Sequence, residues 1–314
     1  MRRVWSLLRD TGKSIGADKV PRLSASLAYY TVFSMGPLLV VLISGCALFF
    51  KREAIEGKIY SVLQDFVGKD TAVQLQDIVR HAAISGKGPL AITIGIITLI
   101  IGATSVFGQI QDAINTIWGL KPKPGKGIWQ FLRNRLLSFS VIISLGFLLL
   151  VSLSFSALIE SFSNRIRMHF PDVTVVFLYL LNLILTLLIS WIIFAVIFKV
   201  LPDARIRWKD VRMGALLTSI LFIIGKFAIS VYISQTKIGS TYGAAGSLVI
   251  LLVWVYYSSI ILYAGAEFTK VYAIAFGSEI KPNDYAVSME VKETEKGKSS
   301  VQQNEAEKKS AKQE

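Results

Sequence analysis

Cysteine is nearly absent from this chain. One residue, Cys46, among 314 leaves no internal disulfide to staple a fold. Histidine is almost as scarce, with only His81 and His169. No His/Cys/Asp group therefore has the spacing of a metal site. The sequence also lacks a nucleophile elbow, a phosphate-cradling glycine loop and a kinase motif set. No catalytic residue, metal site or cofactor is expected, and the chain is read as a non-enzyme. Charge is thin as well. Charged residues are 18% of the chain, against about 25% in an ordinary soluble domain.

What replaces charge is apolar sequence, 53% of the residues, gathered into six long runs. A run of about 18 or more apolar residues spans a hydrocarbon core of about 30 Å as a helix. The runs lie roughly at 25–50, 89–117, 136–159, 174–198, 211–234 and 247–269. They predict an all-α membrane protein, a polytopic bundle of six transmembrane helices. Ile43-Ser-Gly-Cys46 has the look of a lipoprotein cleavage site. The basic segment before this run is too long for a signal peptide, so the run is read as a retained span.

Two segments flank the membrane domain of 25–276, and one long outer loop lies within it. Residues 1–24 are basic, and Trp5, Leu8, Gly12 and Ile15 fall near one helical face, which suits a helix in the headgroup plane or a plain basic leader. The outer loop, 51–87, carries Ile55, Ile59, Val62, Leu63 and Phe66 at helical spacing and predicts short amphipathic helices. Residues 277–314 hold almost no large apolar side chains and are expected to be a disordered tail.

The net charge of +13 raises nucleic acid as a partner, and its placement argues against that. From Lys270 onward eight lysines meet eight acids, so the excess lies in short loops beside the apolar runs. Of the 34 Lys and Arg, 24 fall in the N-terminal segment, the second and fourth connections and the tail, and nine in the alternate connections. The richer side is expected to be cytoplasmic, with both termini inside.

Ionisable groups inside spans are the first candidates for function, because charge in lipid is costly. Gln111 and Asp112 belong to a polar stripe near the inner end of the second span. Glu267 lies near the inner end of the sixth, and Lys226 deep in the fifth. Asp112 and Glu267 are expected to share a polar site with Arg22, Arg133 or Arg212, or else to fix helix ends. Lys226 either snorkels outward or sits in a polar cavity. Pro37 is expected to kink the first span. Tyr29 and Tyr30 then line a cavity, or the kink serves packing alone. Tyr242 and Gly243 sit in a glycine-rich segment between the last two spans, which is either a pore-lining re-entrant element or an outer turn.

Three sets of residues carry a resemblance. These are Ala25-Ser-Leu-Ala-Tyr-Tyr-Thr-Val-Phe-Ser-Met-Gly-Pro37 in the first run, Lys199-Val-Leu-Pro202 before the fifth, and Tyr242-Gly-Ala-Ala-Gly246 leading to Trp254-Val-Tyr256 and Gly265-Ala-Glu267. In that order they resemble the YihY/BrkB family of bacterial inner-membrane proteins over roughly residues 5–275. The resemblance implies a bacterial inner-membrane location. It brings no agreed catalytic or substrate-binding residues. The family once bore the label of a tRNA-processing ribonuclease, and a cytoplasmic ribonuclease needs a base with a metal or histidine pair that this sequence does not supply.

The first functional expectation is that the bundle transports or gates a small solute, ion or lipid-like molecule. The alternative is a non-catalytic envelope integrity or resistance factor acting through its outer loop. The expected partners are the lipid bilayer, a small solute or lipid-like ligand and, as an open option, a second copy of the chain. Nucleic acid is not expected.

Overall fold

The computed structural model describes residues 2–46, 102, 105–123, 171–236, 246–276 and 279–289. Helix α1, Arg2–Ala17, is followed at once by α2, Val20–Cys46. Lys19 makes the turn between them with φ 52°, the left-handed conformation that commonly ends a helix. The helix α2 starts five residues before the expected boundary and continues through Pro37. A helical segment at 105–117, here α3, ends at Gly119, whose φ of 67° suits a residue without Cβ. Strand β1, Leu120–Pro122, follows. Then come α4, Pro171–Val200, β2, Ala204–Arg205, α5, Trp208–Thr236, and α6, Gly246–Ala275. Strands β3, Lys281–Pro282, and β4, Ala286–Ser288, close the described chain.

Among the described residues three helices are long and apolar enough to cross a membrane, over Leu183–Val200, Trp208–Ile229 and Leu248–Ala275. They match the fourth, fifth and sixth expected spans. The third expected span and the outer loop 51–87 lie outside the described residues. Apolar side chains cover the outside of the helices: Leu188, Ile220, Phe227 and Val231 are exposed, and Ile184 and Ile224 are each 60% exposed. Polar ones are inside: Gln111, Asn115, Asp203, Thr218, Ser259, Glu267 and Thr269 are buried. That arrangement suits hydrocarbon as solvent, where outward apolar faces cost nothing and polar groups must find partners within the bundle.

The helices α5 and α6 pack side by side, α4 joins α5, and α6 also packs on α2 and α1. Two glycines let α5 and α6 approach closely. A Cβ on Gly214 would collide with the side chain of Thr269, and one on Gly265 with that of Thr218. Each threonine donates its hydroxyl at 2.7 Å to the carbonyl four residues earlier, Thr218 to Gly214 and Thr269 to Gly265. The two Gly-x3-Thr units thus interlock head to tail with no hydroxyl left unpaired. Further along, Phe194 of α4, Phe222 of α5 and Trp254 of α6 form an edge-to-face ladder at 5.7 and 6.5 Å.

The segments around the helix ends meet at one end of the bundle, and the C-terminal strands join them. Strand β4 pairs antiparallel with β1, and β3 with β2. Met289 donates to Gly119 O at 2.7 Å, Asn283 to Asp203 O at 2.9 Å and Lys123 to Tyr285 O at 2.9 Å. Arg205 grips both oxygens of Asp284 at 2.9 and 2.8 Å. This corrects two expectations. The chain after 277 forms strands at 281–282 and 286–288, and the described residues hold four short strands beside the helices. The cause is borrowed pairing: a polar segment without its own core is ordered by backbone groups of two distant connections.

Candidate functional site

Among the described residues the largest fully buried apolar side chains, Tyr263, Phe198, Ile114, Ile117, Val20 and Val211, gather in one core, and beside it lies a charged cluster. Its centre is Lys270, in the last turns of α6. The ammonium donates to Asp18 Oδ2 at 2.9 Å and to the Ile117 carbonyl at 2.6 Å. It also lies 3.5 Å from Glu267 Oε2, one helical turn back. Three elements, α1, α3 and α6, therefore converge on one cation. The Trp118 indole N–H donates to Ala266 O at 3.1 Å and fixes α3 against α6 beside Glu267.

Glu267 has 0% exposure. Neither of its oxygens accepts an N–H or hydroxyl hydrogen bond among the described residues. Its polar surroundings are Lys270 and the Asp18 carboxyl. Burial alone would raise the Asp18 pKa, because it disfavours the charged form. The Lys270 ammonium at 2.9 Å, with the neighbouring Glu267 carboxyl, outweighs it and holds Asp18 below its ordinary range. Two carboxyls facing one ammonium leave an excess negative charge when both are ionised, and one added proton removes it.

A second polar cluster lies nearby on α3 and the α4–α5 connection. Asp203 is buried and accepts from Gln111 Nε2 and from Asn115 Nδ2, both at 2.9 Å. Its backbone N–H donates to Asn115 Oδ1 at 2.9 Å. Asp203 follows Pro202, which stops α4 and turns the chain under α3. Asp203→Ala should lower stability by about 3 kcal/mol, because two buried amide donors lose a charged acceptor. The melting temperature of the detergent-solubilised protein is the check, and Asp203→Asn should fall between the two because one acceptor oxygen remains.

Of the sequence candidates, the structure buries Gln111 on Asp203 and leaves Asp112, one residue on, exposed. Asp112 does not join Glu267. The expected cationic partners of Glu267 were Arg22, Arg133 or Arg212. Arg133 lies outside the described residues, Arg22 and Arg212 are exposed, and Lys270 holds the place. An i,i+3 neighbour on the same helix is the nearest cation that can reach a carboxyl already buried. Lys226 is half-buried, roughly 27 Å along α5 from its start at the helical rise, and has no ion pair among the described residues.

Tyr29 and Tyr30 do not line an enclosed cavity. Both rings are exposed, stacked edge to face at 5.8 Å, with Phe33 at 4.6 Å from Tyr29. Their outward side suits aromatic rings against hydrocarbon. The neighbouring groove between α2 and α6, about 220 Å³, is lined instead by Ala25, Ala28, Leu252, Val253 and Tyr256. Pro37 lies within α2, and Tyr242 and Gly243 lie outside the described residues.

Sequence reasoning missed Asp18 and Asp203. Each is an ordinary acid in a basic stretch, and only the fold brings it to a partner. The one available signal was that Asp203 is the sole acid between Lys199 and Lys209.

Comparison with known proteins adds a family. The family model described as virulence factor BrkB matches residues 11–289. A UPF0761 membrane protein of Ralstonia nicotianae is 27% identical over 273 residues, 84% of this chain and 58% of its own length. One of Pseudoalteromonas atlantica is 27% identical over 271 residues, 85% of each chain. One of Janthinobacterium is 25% identical over 273 residues, 84% of this chain and 60% of its own length. The chain thus spans well under two thirds of two of these relatives and most of the third. No solved structure matches.

Proposed function

The chain belongs to the family described as virulence factor BrkB, and from that premise we propose that it is a six-span, non-catalytic protein of the bacterial inner membrane that moves or gates a small solute, ion or lipid-like molecule. Both termini face the cytoplasm in this reading. The support for that orientation is that α1, the segment after α3, the α4–α5 connection and the C-terminal strands all meet at one end, where Arg9, Lys13, Lys19, Arg22, Lys121, Arg207, Lys209 and Arg212 are exposed.

The single observation that carries the transport reading is the Glu267–Lys270–Asp18 cluster. A carboxyl with no exposure, in a helix that shows lipid an apolar face, is expensive to keep and does not improve packing. Its charge changes with one proton or one cation, and it joins three elements that would have to part for a path to open. Such a group is suited to gating.

Proton and potassium flux into proteoliposomes, followed with ion-sensitive dyes, should exceed that of empty vesicles. Glu267→Gln should reduce the flux about tenfold, equivalent to about 1.4 kcal/mol on the limiting barrier. Arg205→Gln, on the exposed rim, should leave it unchanged. Flux equal to that of empty vesicles would count against transport. It would favour the second reading, an envelope integrity factor acting through residues 51–87, which suits the family's description as a virulence factor.

A further inference from the structure

The helix α1 has two faces, and the fold uses only one. Leu7 and Thr11 are buried against the bundle, and Asp18 ties the helix end to Lys270. On the other side Trp5 is 73% exposed and Leu8 46%. At 100° per residue, Gly12 and Gly16 continue the Trp5–Leu8 stripe, and Arg9 and Lys13 run along its edge. Among the described residues no atom lies within 4 Å of where a side chain would begin at either glycine. The exposed face is therefore a flat apolar strip bordered by cations.

Arg9, Lys13, Lys19 and Arg22 have no acidic partner among the described residues, and Asp10 is the one exposed acid on this helix. The strip sits at a defined height. Gly214 packs on Thr269, which places the start of α5 level with the Lys270 cluster and so with α1. There Trp208 and Met213 are exposed, Arg212 lies between them in sequence, and the Lys199 ammonium stands 5.6 Å over the Trp208 ring. Tryptophan beside basic residues at the end of an apolar helix marks the headgroup layer.

We propose that the Trp5–Leu8–Gly12–Gly16 face of α1 docks on the headgroup layer of an anionic phospholipid leaflet, with Arg9 and Lys13 held against lipid phosphates. The apolar strip enters the boundary between headgroups and acyl chains, and the cations supply the preference for negative charge. The occupant is the protein's own bilayer, so docking needs no change in the bundle. Each basic residue near such a surface strengthens the association about fivefold, and salt weakens it.

The test uses full-length protein with Cys46→Ser, carrying Leu8→Cys or Asp10→Cys labelled with an environment-sensitive dye. It is reconstituted in phosphatidylcholine alone or mixed with phosphatidylglycerol. In the anionic vesicles the dye at position 8 should be blue-shifted and shielded from iodide, and the dye at position 10 should stay accessible. Shielding should weaken in phosphatidylcholine, in high salt, and by on the order of tenfold in partition when Arg9→Gln and Lys13→Gln are combined. Equal accessibility at 8 and 10 would overturn the proposal. So would shielding that ignores lipid charge, and so would release of the dye by added RNA, which would assign the cations to nucleic acid. If Cys46→Ser does not fold, quenching of Trp5 by brominated lipid gives the same readout with Cys46 in place, taken as the difference between the native chain and Trp5→Phe.

Discussion

Lys270→Ala should destabilise the protein by about 2–3 kcal/mol, the upper range for losing charge-assisted hydrogen bonds in a part-buried cluster. The ammonium serves the Asp18 carboxylate at 2.9 Å, the Ile117 carbonyl at 2.6 Å and Glu267 at 3.5 Å. Without it two carboxyls face each other, one of them with no access to water. Adding Glu267→Gln should recover part of the loss, because the repulsion goes with the charge, and the pair should be non-additive. Melting in detergent, followed by size-exclusion profile, gives both numbers. Stability equal to the native chain would mean that Lys270 is not the pivot of the cluster.

The same contact sets an acid limit. Asp18 is held below its ordinary value of 3.8 in the folded chain, so folding favours its ionised form. Its contribution is complete above 3.8 and is lost as the pH falls through the lower folded value. The stability difference between the native chain and Asp18→Asn should be constant near neutrality and disappear in strong acid. A difference that instead disappears on raising the pH would contradict the pairing.

Gly265→Leu should have an effect of comparable size on assembly of the bundle. Its Cβ position lies within contact distance of Thr218 Oγ1, Cβ and Cγ2, and the Gly214 position meets Thr269 Oγ1, Cβ and Cα. Even alanine at either glycine forces α5 and α6 apart, at about 1–3 kcal/mol for overpacking, and leucine exceeds that. Gly108→Ala is the matched control, since nothing among the described residues lies within 4 Å there, and it should be neutral or stabilising by up to about 1 kcal/mol. Thr218→Ala should rescue Gly265→Ala in part, because it removes two of the three contacting atoms and leaves Cβ. Equal melting temperatures for Gly265→Ala and Gly108→Ala would contradict the interlock.

The long helices were legible because lipid-facing sequence is nearly uniform in character. Leu248 to Ala266 can be read as a span without knowing any neighbour. The expected end at 269 fell short of Ala275 because Glu267 and Lys270 read as a boundary, whereas each neutralises the other inside the continuing helix. The start of α2 differs for the same reason: Arg22 reads as a boundary in the sequence, and the helix begins at Val20. Gln111 and Asn115 of the polar stripe face protein, where both amides donate to Asp203, while Asp112 of the same stripe is exposed. The partner of Gln111 was not legible, because Asp203 lies 92 residues away and no local pattern links them. Strands β1 to β4 are two or three residues long and carry no period to detect, and their order comes from partners up to about half the chain away.

The most direct test of the account is side-specific labelling of single cysteines at Lys19, Asp284 and Thr236 in a Cys46→Ser chain, using intact spheroplasts and a membrane-impermeant maleimide. Lys19 and Asp284 lie at the end where α1 and the C-terminal strands meet, and Thr236 closes α5 at the opposite end. The account predicts labelling at 236 only, with 19 and 284 reacting after the membrane is opened. Labelling of 19 and 284 on different sides, or of all three in intact spheroplasts, would contradict a bundle that crosses the membrane and gathers both its ends on one face.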